Sequence, residues 1–307
     1  MEEKTLIFGH KNPDTDSICS SIVHEILDKK NGWNDTKAVR LGNINKETAY
    51  VLNYLGLEAP EFIENVEEGQ TVLLVDHNEF AQSVNGIEKA KILGVTDHHR
   101  IANFETAEPL YYTAKPYGCT ATILFENFKQ QGHKIERKEA VLMASAIISD
   151  TLLLKSPTTT EHDKIALEEL AKIADIDVNT YGLDMLKAGT DLSDFTAEEL
   201  INIDSKEFAN GDFKFQVAQV NTACIEDVLI NKAEIEKAMT DFMNSHSSKL
   251  FVFLITDIIN SNSQAIVLGD TAIFEKAFSK TVENNMAFLE GVVSRKKQVA
   301  PCLLNVL

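Results

Sequence analysis

The sequence has few of the features that mark a membrane protein, a nucleic-acid binder or a disulfide-built secreted domain. Its longest uninterrupted apolar run, Leu250 to Ile255, is too short to span a bilayer. The first apolar run, Thr5-Leu6-Ile7-Phe8, is far shorter than a signal-peptide core. The four cysteines, Cys19, Cys119, Cys224 and Cys302, lie far apart and form no CxxC pair, which argues against a zinc ribbon or a redox motif and fits reduced cytosol. Positive charge is scarce too. A formal net charge of -18 disfavours nucleic acid and anionic membranes, which are held by clustered Lys and Arg, but it leaves room for a small anion in a local basic pocket. Solenoid repeats and low-complexity tracts are absent. The expectation is a cytoplasmic protein without nucleic-acid or membrane partners.

What is present is ordinary in bulk and concentrated in detail. A chain of 307 residues, 44% hydrophobic and 25% charged, is long enough for two domains with their own cores. The densest chemistry is Gly9-His10-Lys11-Asn12-Pro13-Asp14-Thr15-Asp16-Ser17, directly behind the first apolar run. That run reads as a strand spilling into a loop. The loop opens into a helix whose stripe is Ile18, Ile22, Val23, Ile26 and Leu27, with Asp16 or Ser17 as its cap. An imidazole beside carboxylates suits divalent ions such as manganese, cobalt, iron or zinc. Taken alone, the same residues also read as turn chemistry, helix caps and an incidental histidine.

Two further apolar runs end in the same kind of side chain. Val72 to Val75 leads to Asp76-His77-Asn78-Glu79, and Ile92 to Val95 leads to Thr96-Asp97-His98-His99-Arg100. Helical patterns over 46–57 and 82–91 alternate with these runs, which predicts a parallel α/β sheet. In such sheets ligands collect beyond the carboxyl ends of the strands, where these groups would meet. Separately, Asp76 reads as a loop carboxylate and His98-His99 as a solvated turn. Pro116 to Thr120 leads into a helix carrying Ile123, Leu124 and Phe128, whose first amides serve either an anion or a Thr120 cap. Ala140 to Ile148 is an apolar helix ending at Ser149-Asp150, where the helix dipole disfavours an acid. A metal would compensate Asp150, as would solvent at a frayed end.

After an amphipathic helix over 161–174 the pattern breaks into small and polar residues, which places an interdomain linker at 189–195. Beyond it we expect a helical turn over 196–202, a strand over 213–220, a long helix over 225–243, strands over 250–256 and 264–268, and a helix over 271–285. Lys206 falls in a helical or turn context. Ser294-Arg295-Lys296-Lys297, behind a strand-like Val292-Val293, is the densest positive cluster. It reads as a phosphate clamp or as a basic sheet edge.

In this order, His10 to Asp16, Val75 to Asn78, Asp97 to His99, Ser149-Asp150 and Ser294 to Lys297 closely resemble the motifs of the family II inorganic pyrophosphatases, members of the DHH phosphoesterase superfamily. The resemblance covers the whole chain. It implies an α/β architecture: an N-terminal parallel-sheet DHH domain (1–188), a hinge (189–195) and a smaller C-terminal DHHA2-type domain with a mixed sheet (196–307), the active site in the cleft between them. It implies hydrolysis of pyrophosphate to two orthophosphates at a centre of two manganese(II) or cobalt(II) ions per subunit, with magnesium arriving on the substrate. The implied ligands are His10, Asp14, Asp16, Asp76, His98 and Asp150, with Asp76 and Asp150 shared. His99 is the implied substrate contact and acid, acting with Asp76. Lys206, Arg295 and Lys296 are the implied phosphate-binding cations, and a homodimer is the implied assembly. The chemistry is coherent, because water bridging two metals becomes a nucleophile at neutral pH and the cations neutralise the leaving group. Two rivals are a superfamily phosphodiesterase acting on short oligonucleotides or cyclic dinucleotides, and a non-enzymatic metal or phosphate sensor. The first typically carries a Gly-Gly-Gly-His motif that this chain lacks. The second has no need of both a complete ligand set and a clamp.

Overall fold

A computed structural model describes residues 4–307. The chain divides into two compact units, Met1–Gly189 and Thr190–Leu307. The strands of the first are β1 (Thr5–Phe8), β2 (Thr36–Arg40), β3 (Glu61–Phe62), β4 (Thr71–Val75), β5 (Lys91–Asp97) and β6 (Tyr111–Ala114). Its helices are α1 (Thr15–Lys30), α2 (Lys46–Leu55), α3 (Thr120–Gln130), α4 (Arg137–Thr151), α5 (Glu161–Ala174) and α6 (Val178–Gly189).

All six strands are parallel, in the order β3-β2-β1-β4-β5-β6. The chain runs outward from β1 through β2 to β3, then restarts beside β1 with β4 and runs the other way. That order has its switch point between β1 and β4, where the loops leaving the two strands diverge and open a crevice. Side chains alternate along these strands. Phe8, Val72 and Leu74 enter one core with Val39 and Val95, while Ile7, Leu73 and Val75 fill the other face. Helix α1 lies against β1, β2 and β4, and both α1 and α3 pack on α4.

The expected helix over 82–91 is not formed. Two short 3₁₀ turns, Phe80–Gln82 and Ile87–Lys89, stand there instead, separated by Asn85-Gly86 with Gly86 at φ +87°. A left-handed residue in mid-segment breaks the helix. Val84 and Ile87 still cover the sheet, so the burial pattern survives without the helix.

In the second unit, β7 (Ser205–Asn210), β8 (Phe213–Thr222), β9 (Leu250–Asp257), β10 (Asn262–Gly269) and β11 (Met286–Leu289) form a mixed sheet ordered β11-β10-β9-β8-β7. Only the β8–β9 pairing is parallel; the others are antiparallel. Its helices are α7 (Ala197–Leu200), α8 (Ile225–Leu229), α9 (Lys232–His246), α10 (Thr271–Phe278) and α11 (Ala300–Val306). The helix expected over 225–243 is split at Asn231, which caps α9. The one expected over 271–285 stops early, because Ser279 is left-handed and Asn284 and Asn285 turn the chain into β11. Lys206 lies on β7 rather than in a helix or turn. Val292-Val293 is no strand but the approach to a π-helical turn, Arg295–Val299.

Candidate metal centre

Asp76 and His98 follow directly on β4 and β5, and His10 stands two residues beyond the end of β1, the three strands lying side by side at the switch point. Asp76 is the middle of the arrangement. It is buried and sits at φ 58°, a left-handed conformation that turns the chain sharply out of β4. Its amide donates to the Thr96 carbonyl. One carboxylate oxygen, Oδ2, lies 3.4 Å from His10 Nε2 and accepts from Ser17 Oγ at 2.9 Å; the other, Oδ1, lies 3.4 Å from His98 Nε2 and accepts from Thr120 Oγ1 at 3.1 Å.

Asp14, not Asp16 or Ser17, is the cap of α1; its Oδ1 accepts from the Ser17 amide at 2.9 Å while Oδ2 faces His10 Nε2 at 3.5 Å. Asp16 is free for another task. Its carboxylate accepts from the amides of Thr120 (2.7 Å) and Ala121 (3.2 Å) and from Ser20 Oγ (2.6 Å). The start of α3 therefore does hold an anion, supplied by the protein itself, and Cys119 rather than Thr120 occupies the cap position. Asp150, in the last turn of α4, brings Oδ2 to 3.8 Å from His98 Nε2.

Three groups of side chains have donor atoms close enough to hold a cation: His10, Asp14 and Asp76; Asp16, Asp76, His98 and Asp150; and Asp76, His98 and His99. The imidazole and carboxylate donors suit a divalent transition ion. His98 is already oriented for the task, because its Nδ1 must donate to the Tyr117 carbonyl at 3.0 Å, which leaves Nε2 facing the acids as the atom that can bind a cation once its proton is lost.

The electrostatics are those of a site built for positive charge. Burial and then the charge of Asp76 push the Asp16 carboxyl up to about 7, and burial with the charges of Asp16, Asp76 and Asp14 raises Asp150 well above the carboxylate range. For Asp76 burial acts upward too, but hydrogen bonds and charge from His10 and His98 outweigh it and hold the group ionised. Burial depresses both imidazoles; their carboxylate partners outweigh it and lift His10 to about 10 and His98 to about 9. His77 behaves differently. Its ring bonds the Val75 carbonyl and Ser83 Oγ, burial pushes it down to about 4, and it belongs to none of the three groups.

The remaining candidates fall into two sets. Half-exposed His99 has Nδ1 2.9 Å from Asp97 Oδ1, a hydrogen bond that raises its pKa, and it lines a cavity of about 360 Å³ with His10, Asp76 and Arg100. Asp97 is itself fixed by Asn78 Nδ2 at 2.6 Å. In the second unit, Arg295 Nη2 donates to Asp204 Oδ1 at 2.6 Å, Lys206 lies over the Phe208 ring, and Lys296 is exposed in the π-helical turn. Buried Gln219 holds that turn, accepting from the Arg295 amide at 2.8 Å and donating to the Val293 carbonyl at 2.9 Å.

The sequence pattern of the DHH family N-terminal domain matches residues 4–147, and that of the DHHA2 domain matches residues 183–306. The manganese-dependent inorganic pyrophosphatase of Bacillus subtilis is 54% identical over 99% of each chain. The chain belongs to the family II inorganic pyrophosphatases. A family relative from Exiguobacterium, named "probable manganese-dependent inorganic pyrophosphatase", is 55% identical over 97% of each chain. A crystal structure from Methanococcus jannaschii, assigned to the same family, aligns with 98% of each chain at 41% identity and a TM-score of 0.62.

Ser17 and Thr120, which the sequence offers only as helix caps, hold Asp76, and Ser20 holds Asp16. Ser20 and Glu47, which bonds Thr15 and Ser149, carry no such local signal in this family member.

Proposed function

We propose that this protein hydrolyses inorganic pyrophosphate to two orthophosphates at a dinuclear site. The observation that carries the reading is that Asp76 belongs both to the group with His10 and Asp14 and to the group with Asp16, His98 and Asp150. One carboxylate shared by two groups is what two adjacent divalent ions require. We assign those six residues as the ligands, with Asp150 a second shared carboxylate, for two manganese(II) or cobalt(II) ions per subunit. When bound, such ions acidify water to a nucleophile at neutral pH and neutralise developing charge.

The protein's own groups do the rest. Asp97 holds His99 by Nδ1, which favours a protonated ring whose Nε2 can give a proton to the leaving phosphate. Asp76 keeps His10 and His98 in place on its two oxygens. Lys206, Arg295 and Lys296 take the phosphates, whose further charge is carried by magnesium bound to the substrate. The domain assignment that accompanies this reading is a metal-binding DHH domain over 1–188, a hinge over 189–195 and a substrate-binding DHHA2-type domain over 196–307.

A cytoplasmic homodimer without nucleic-acid or membrane partners completes the proposal. The likeness to the family is the ground for the homodimer and the cytoplasm; the net charge of -18 disfavours nucleic acid and anionic membranes, and no helix among the described residues is long and apolar enough to cross a membrane. The test is phosphate release from pyrophosphate by chelator-stripped protein with manganese or magnesium added back, beside an assay on a short oligonucleotide. Manganese-dependent release from pyrophosphate alone is the expected result. Cleavage of the oligonucleotide without pyrophosphate hydrolysis would overturn the substrate, and inactivity on both would overturn the reaction.

A further inference from the structure

Glu47, near the start of α2, belongs to none of the three cation-holding groups. Yet one of its oxygens reaches two places where ligands are carried. Oε1 accepts a hydrogen bond from Thr15 Oγ1 at 2.6 Å and another from Ser149 Oγ at 2.5 Å. Thr15 stands between Asp14 and Asp16, and Ser149 immediately precedes Asp150. A single carboxylate oxygen therefore ties the first turn of α1 to the last turn of α4.

Resting on the metal assignment above, we propose that Glu47 is a positioning residue. It brackets Asp14 and Asp16 against Asp150 and so sets the width of the cation sites without touching a cation. The physical need is plain, because several acids of one charge gathered in one place repel one another and would spread apart unless their helices are tied. Hydroxyl bonds to a charged acceptor are strong and short, which suits a bracket. Glu47 is itself placed by the cap of α2, where Asn45 Oδ1 accepts from the Thr48 amide at 2.7 Å. Space around it is tight. A Cβ added at Gly189, the last residue of α6, would lie 2.8 Å from Glu47 Cβ and 3.0 Å from Oε2. A side chain at 189 therefore displaces Glu47, which offers a second way to disturb the bracket from outside it.

The experiment is a manganese(II) titration of chelator-stripped full-length protein, followed by the electron paramagnetic resonance of free manganese, on wild type, Glu47→Ala, Glu47→Gln, Ser149→Ala and Gly189→Ala. Thermal unfolding in chelator checks that each variant is folded. Glu47→Ala is expected to bind manganese about 10- to 100-fold more weakly, the usual cost of losing a group that orients a ligand. Glu47→Gln keeps an oxygen that accepts both hydroxyls and is expected within about threefold of wild type, with Ser149→Ala and Gly189→Ala between the two. Wild-type affinity in Glu47→Ala, or equal weakening in Glu47→Gln, overturns the bracket. If Glu47→Ala does not fold, Ser149→Ala decides: weakened binding supports the bracket and unchanged binding overturns it. A wild-type protein that binds no manganese overturns the metal assignment itself, a distinct result.

Discussion

Thr120 and Asp16, 104 positions apart, are joined by a 2.7 Å hydrogen bond from the Thr120 amide to Asp16 Oδ2. With the Ala121 amide and Ser20 Oγ alongside, the positive end of α3 steadies one buried acid among several. Asp150 is placed less favourably. It lies at the negative end of α4, facing the charges of Asp16, Asp76 and Asp14.

Asp150→Asn is therefore expected to move stability in opposite directions with and without metal. A buried acid whose folded pKa is raised lowers stability once pH exceeds its unfolded value, and fully so above the folded one. In chelator at pH 8, removing that acid should stabilise the protein by about 1–3 kcal/mol, a common span for single substitutions. With manganese present the variant should instead be less stable than wild type. Urea unfolding in both conditions measures the crossing; a variant less stable in both would refute it.

Metal uptake should release protons. In the stripped protein His10 holds its proton up to about pH 10 and His98 up to about pH 9, whereas a ligating imidazole must be neutral. At pH 7.5 at least two protons per chain, one from each histidine, should leave on binding, with a further contribution from the raised carboxyls of Asp150 and Asp16, and affinity should fall as pH falls. For the stripped protein the two histidines contribute stability that is fully present below about pH 6.5, their ordinary value, and lost as pH rises through 9 to 10. Calorimetry in buffers of different ionisation enthalpy counts the protons, and a buffer-independent heat would contradict the assignment.

Arg295→Ala should lower catalytic efficiency on pyrophosphate by about 10- to 150-fold, the range for losing roughly 1.5–3 kcal/mol of charge-assisted hydrogen bonding. Manganese affinity should stay at the wild-type value, because Arg295 belongs to a different unit from the ligands. Steady-state kinetics beside a metal titration separate the two effects. Unchanged kinetics would remove Arg295 from the clamp.

Gly9→Ala tests the packing of β1 against α1. A Cβ there would lie 2.4 Å from Ser17 Oγ and 2.9 Å from Ser17 Cα, so the helix start must move. Overpacking of this kind costs about 1–3 kcal/mol. Ser17 Oγ also bonds Asp76, so manganese binding should weaken together with stability in thermal unfolding. Loss of stability with unchanged manganese affinity would show that the movement is absorbed elsewhere.

The sequence made the ligand-bearing loops legible because each follows a short apolar run, and a run ending in His or Asp advertises a strand end. Asp16 was legible as an acid but not as an acceptor for α3, since nothing near position 16 announces a helix that begins at position 120. Segment 80–90 misled for a related reason: its apolar residues are spaced to cover a sheet, and that spacing does not distinguish a helix from two 3₁₀ turns around a glycine. Strand β11 was hidden by shortness, its four residues being defined by pairing with β10 rather than by any pattern of their own. Glu47 had no sequence signature, because its meaning lies in two hydroxyls, one of them 102 positions away.

The six proposed ligands run from His10 to Asp150, in the loops beyond β1, β4 and β5, at the start of α1 and at the far end of α4, and the pairing of those parallel strands is non-local. Such pairings form late in folding because long loops must close first. The capacity to bind a cation tightly is thus a clock for the assembly of the first unit. A nascent chain has no complete site until position 150 has left the ribosome, and in refolding, manganese uptake should trail the recovery of helical signal.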